Sequence, residues 1–199
     1  MIPDLSRNEY LVEEHSGLLK SAFDFDIRDP ESGDVLFHCR EKELRRITRI
    51  LRYSELKRTT PFELCVSTPD DQLVMTVARG VPIVASRVRV TDNDGILIGG
   101  FKQKPFSIAG AFDVLDARGQ RVCRLRGRSP GKEFDFVTDD DVVLAKVMKQ
   151  WAGLRKELLT SADNYLLRID SAVPDDGTIR RLILASAICI GMVVKFELP

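Results

Sequence analysis

From Phe23 to Arg28 the chain alternates apolar and charged residues without a fault, the period-two signature of a strand with one buried face. Asp29-Pro-Glu-Ser-Gly33 carries turn chemistry and Asp34–Arg40 returns, so this stretch predicts a β-hairpin. The unit then recurs. Phe62–Ser67 and Gln72–Ala78 flank Thr68-Pro-Asp-Asp71, while Ser86–Thr91 and Ile96–Phe101 flank Asp92-Asn-Asp-Gly95. Ala111–Asp116 and Arg121–Arg126 flank Ala117-Arg-Gly-Gln120, and Lys132–Thr138 and Val142–Met148 flank Asp139-Asp-Asp141. The turns use Gly, Asp, Asn and Pro, which accept or preset the backbone angles of a reversal. One more strand is expected near Tyr165–Ile169.

Two kinds of stretch break the pattern. Arg40–Arg58 holds eight basic residues against three acidic ones. Leu44, Ile47 and Leu51 give it a narrow apolar stripe if it is helical; a charged strand pair or loop is the other reading. Ala152–Leu159, beside Trp151, is a second short helical candidate. The larger departure is the end of the chain, where Leu182–Val194 runs thirteen residues without a charge and without a single apolar face. A surface helix interrupts such a run every third or fourth residue. Thirteen helical residues reach about 20 Å, short of a bilayer core of about 30 Å. That favours a buried core helix over about residues 176–196, with Asp176 or Thr178 as N-cap. A membrane span extended by Ile179 and Phe196, or a core strand, is the rival.

About ten to twelve antiparallel strands followed by one helix apolar all round have few ways to bury everything. A twisted sheet of that many strands curls or closes, and closure removes its edges. The terminal helix is the element apolar enough to fill the interior. The expected architecture is mainly β: a closed antiparallel barrel enclosing a C-terminal helix, as a single domain over residues 1–199.

Composition narrows the function classes. Thirty basic and thirty acidic residues cancel, so any electrostatic partner is recognised by a local patch and nucleic acid is not expected. Cys39, Cys65, Cys123 and Cys189 are far apart inside apolar segments, as buried free thiols of a reducing compartment are. Met1–Tyr10 has no basic region followed by an apolar one, so a cytoplasmic location is expected. No Gly-x-Ser-x-Gly, P-loop, Cys/His metal spacing or His-Glu-x-x-His appears, and no enzyme is expected. His15 and His38, far apart in sequence, read as structural; Gly99-Gly100 reads as a bulge or tight strand crossing, and Asp139–Asp141 as a solvated turn.

The stretch Lys149-Gln-Trp-Ala-Gly-Leu-Arg-Lys-Glu-Leu-Leu-Thr-Ser-Ala-Asp-Asn-Tyr165, with the apolar terminus ending Met192–Glu197, resembles the C-terminal part of the phospholipid scramblases. Tyr10-Leu-Val12, Asp26–Gly33, Phe101–Phe106 and Phe112–Asp116 resemble the same family and the LURP-one-related proteins. The resemblance covers nearly the whole chain from about Asn8, and Trp151–Asn164 is its most specific part. It implies the tubby-like fold, a closed barrel threaded by a hydrophobic C-terminal helix. It also implies binding of phosphoinositides or other anionic phospholipids, and calcium-dependent movement of phospholipids between leaflets. The segment implied to hold calcium falls on Ser161–Ala172, whose candidates are Asp163, Asn164 and Asp170. Read as a twelve-residue loop it offers one carboxylate, no bidentate acid at its end and no central glycine. That ligand set is poor, so no cofactor is expected. Gly191 stands where scramblases usually carry Asp.

Alternating cations supply the candidate phosphate ligands. Arg124, Arg126 and Arg128 share one face of a strand, as do Arg87 with Arg89 and Lys102 with Lys104. Such rows hold lipid phosphates through charge-assisted hydrogen bonds. Arg45, Arg46 and Arg49 are a further candidate group. The plain alternative is a solvent face balanced by neighbouring acids. The expected function is a scramblase-related lipid head-group-binding module, peripheral at the membrane surface. The alternative is a soluble scaffold binding another protein or nucleic acid through its basic faces.

Overall fold

The computed structural model describes residues 5–15, 22–42, 60–80, 87–103, 112–129, 133–148, 164–175 and 177–193, with backbone alone for 103, 128–129 and 191–193. Strands β1 (Glu9–Glu14), β2 (Asp24–Arg28), β3 (Val35–Glu41), β4 (Phe62–Ser67), β5 (Leu73–Arg79) and β6 (Arg87–Asp92) follow one another around the wall. The wall continues through β7 (Leu97–Gln103), β8 (Phe112–Asp116), β9 (Arg121–Ser129), β10 (Glu133–Val137), β11 (Val143–Met148) and β12 (Tyr165–Ile169). Each strand pairs antiparallel with its neighbours in sequence, and β12 pairs with β1, so the barrel is closed. All the predicted hairpins form. The closing strand β1 is the one that alternation does not announce, because Tyr10, Leu11 and Val12 are all buried in succession.

Sequential hairpins give the barrel two unlike ends. The short turns β2–β3, β4–β5, β6–β7, β8–β9 and β10–β11 and the link from β12 to the helix lie at one end, and the remaining connections at the other. Several turn residues have structural work. Asp92 Oδ1 accepts from the amides of Asp94 and Ile96, and Asp116 Oδ1 from those of Arg118 and Gln120. Asp71 and Asp141 take φ of 60° and 59°, which Asp tolerates better than most side chains.

The helix α1 (Thr178–Val193) enters from the hairpin end and fills the interior. Leu182, Ile183, Leu184, Ala185, Ala187 and Ile188 are all at most 1 % exposed. Burying Leu182, Ile183, Leu184, Ile188 and Ile190 contributes roughly 8–15 kcal/mol of gross transfer energy at about 1.5–3 kcal/mol each. Thr178 is the first helical residue rather than the cap: the Arg180 amide donates to Gly177 O at 3.1 Å. At Gly99 the wall approaches the helix closely. A Cβ there would lie 2.3 Å from Leu115 O and 3.0 Å from the Leu182 methyls, and its φ of 151° is strained for any L side chain. The register shift between Val90 and Thr91 leaves Ile98 as the extra residue, so the bulge falls at Ile98-Gly99, while Gly100 stays paired with Arg89 at a tight strand crossing where a Cβ would lie 2.1 Å from Val88 O.

Three details differ from the sequence reading. Cys39, Cys123 and Cys189 are buried free thiols, but Cys65 is half-buried, because β4 turns Phe62, Leu64 and Val66 inward instead. Asp26 is 4 % exposed despite its outward place in the alternation. Arg180 is fully buried two residues before the apolar run. The helical candidates within Arg40–Arg58 and Ala152–Leu159, together with Asp176 and the chain after Val193, lie outside the described residues.

Candidate anion-binding face

On β6, Val88 and Val90 are buried while Arg87 and Arg89 are exposed, as alternation demands. Register places Arg87 opposite Lys102 of β7 and Val88 opposite Phe101. Lys102 is exposed and Phe101 buried, so both cations stand on the outer face, side by side. Directly opposed side chains have Cβ atoms about 5 Å apart, and like charges there are destabilising. Arg89 faces Gly100, which brings no side chain of its own. Among the described residues Arg87, Arg89 and Lys102 form no ion pair. The nearest acid in register, Asp113 of β8, lies opposite Lys102 and has Oδ1 3.7 Å from Arg121.

The β9 arginines are placed differently. Cys123 and Leu125 point inward and Arg124 and Arg126 outward, so two of the three predicted arginines share the outer face, while the register shift between Glu133 and Phe134 leaves Arg128 as the extra residue of a bulge on β9. It is occupied. Arg124 donates to Asp141 Oδ1 at 2.8 Å, Arg126 lies 3.4 Å from the same oxygen, and Arg121 lies 2.7 Å from Asp139 Oδ1. The β10–β11 tip is exposed, as a solvated turn is, with Asp139 and Asp141 61 % and 64 % exposed while they pair with arginines of β9. Across the wall, Arg87, Lys102, Asp113 and Arg124 form one register row on four adjacent strands. Arg128 continues β9, with only its backbone described; Lys104, Arg45, Arg46 and Arg49 lie outside the described residues.

The calcium candidates do not converge. Asn164 precedes β12 and is buried, and Asp170 follows it in an exposed turn where Oδ1 accepts the Ala172 amide. The five residues of β12 lie between them, a separation of about 20 Å. Asp163 lies outside the described residues, among which no His/Cys/Asp/Glu group has a geometry that could hold a metal.

A polar cluster that the sequence did not announce sits on the outer side of β1–β3. His15 Nε2 and His38 Nδ1 each lie 2.9 Å from a different oxygen of Asp26, joined by Arg40 at 2.6 Å and Arg28 at 3.3 Å. Burial raises the Asp26 pKa, but the hydrogen bonds of His38, Arg40 and His15 outweigh it and hold the carboxyl at about 2. The available signal was register: two hairpin strands place Asp26 directly opposite His38. Arg40 also pairs with Asp24 at 2.8 Å and Arg28 with Glu13 at 2.7 Å, so the cluster braces β1, β2 and β3 against one another.

A family model described as Scramblase matches residues 23–197. Among solved structures, an X-ray structure of a protein from Arabidopsis thaliana is similar, with a TM-score of 0.52 and 12 % identity. The match covers 94 % of this chain and 98 % of that one, and shows a shared fold.

Proposed function

The chain belongs to the scramblase family, and we propose that it binds the phosphates of anionic phospholipid head groups on the outer face of β6–β7. The observation that supports this most is the Arg87–Lys102 pair: two exposed cations held opposite each other without an acid between them. Such a pair costs the fold stability, and an anionic oxygen between the two groups offsets the repulsion. Arg89 is two residues from Arg87 on the same face and adds a third donor set. Attachment is from the surface. No described helix is long and apolar enough to cross a membrane, and the apolar run of α1 is spent inside the barrel. The scramblase family is not in general a class of enzymes, and head-group recognition is the part of lipid handling that this geometry supports.

Vesicle flotation tests the reading. Binding is expected to rise with anionic lipid content and fall with salt. R87A/K102A should weaken it about tenfold to thirtyfold, at about 1 kcal/mol per cation near the surface. The same variant should melt close to the parent, because K102A removes the repulsion of Arg87 and the attraction of Asp113 together. Equal flotation on zwitterionic vesicles, or undiminished binding by the double variant, would refute this site.

A further inference from the structure

The β9 row is chemically as good a phosphate site as the β6–β7 pair, yet it already holds an anion. Arg124 and Arg126 are two residues apart on one strand face, about 7 Å along the backbone. Both reach a single oxygen, Asp141 Oδ1, at 2.8 and 3.4 Å. That oxygen stands where one oxygen of a bound phosphate would stand between two guanidiniums. The side chain of Asp141 is 64 % exposed, and ion pairs this open to water are weak and readily exchanged. Asp141 is at the tip of the β10–β11 hairpin, so its carboxylate can leave β9 without moving the wall.

We propose that Asp141 is a built-in competitor for a second phosphate site, Arg124–Arg126, which opens when a head-group phosphate displaces its carboxylate. The inference rests on the head-group reading above and adds its regulation. Arg87–Lys102 makes the first contact because it is unoccupied. Two strands further along the same wall and in the same register row, Arg124 and Arg126 join once Asp141 yields, so binding tightens after first contact.

The test compares D141N with D140N on vesicles of graded phosphatidylserine content. Asp140 is on the same turn and forms no ion pair among the described residues, so D140N makes the same charge change without touching an arginine. Asn tolerates the positive φ at 141, so the turn should persist, which a thermal melt checks. D141N is expected to bind about fivefold tighter than the parent, the effect of about one freed cation at the surface. D140N should stay near the parent, and D141N/R124A/R126A should lose the gain. Equal tightening by D140N and D141N would overturn the competitor role, because net charge would explain it. So would a D141N gain that survives loss of both arginines. If the parent binds through Arg87 and Lys102 but D141N adds nothing beyond D140N, this inference fails while the head-group reading stands. If neither parent nor D141N binds at any anionic content, both fail.

Discussion

Asp26 lies on the outer wall of β2, 4 % exposed, with His15, His38, Arg28 and Arg40 around it. Its folded pKa of about 2 is below the ordinary 3.8, so between these values the unfolded chain binds more protons than the native one. The stabilisation is therefore complete above about pH 4 and is lost as pH falls through about 2. A depression of this size corresponds to about 2 kcal/mol. D26N should lower urea stability by about that amount at pH 7, with the gap to the parent shrinking from pH 4 to pH 2. A gap that stays constant over this range would contradict the assignment. At this scale the sequence was least legible. Alternation correctly pointed Arg87, Arg124 and Arg126 outward, because side-chain direction in a strand is a local property. Which acid meets which cation depends on register between strands and on hairpin tips, so Asp141 on β9 and the two histidines on Asp26 were not readable. Arg87 and Lys102 were named in separate rows, and only the register joins them.

Among the elements, the helix and the hairpins were legible and the closing strand was not. An apolar run of thirteen residues is too uniform for a surface and too short for a bilayer. The hairpins had turn residues and period-two patterns at once. In contrast, β1 buries three residues in a row and hides its period. The entry of α1 holds the other surprise, Arg180, 1 % exposed. Its guanidinium donates to the carbonyls of Leu5 (3.2 Å), Arg7 (2.7 Å) and Val173 (3.1 Å), to Asn8 Oδ1 (2.8 Å) and to Asp175 (2.8 Å). It thereby ties the start of the helix to the segment leading into β1 and to the turn after β12, the place where the barrel closes. R180M keeps most of the volume but strands these acceptors, and should destabilise the protein by about 2–5 kcal/mol in chemical denaturation. A loss below about 1 kcal/mol would show that water satisfies the carbonyls and that the seam does not depend on Arg180.

For the whole molecule, a net charge of zero conceals a polarity. The hairpin end carries Asp29, Glu31, Asp34, Asp70, Asp71 and Asp94 as well as the Asp139–Asp141 tip, against Arg118, Arg7, which pairs with Asp29, and Arg121, which pairs with Asp139. An anionic bilayer repels that end, while the unpaired cations of β6–β7 sit near the opposite rim, at the start of β6 and the end of β7. The barrel is thus expected to meet a membrane by its β6–β7 flank with the hairpin end turned away. Amide NMR shifts on titrating a water-soluble short-chain phosphatidylserine locate the lipid phosphate without any mutation. The largest shifts are expected on Arg87, Arg89, Gly100 and Lys102, with a second set at Arg124 and Arg126 as lipid increases. Shifts centred on the acidic hairpin turns or on the Glu9–Arg168 side of the barrel, with β6 and β7 unmoved, would contradict this site.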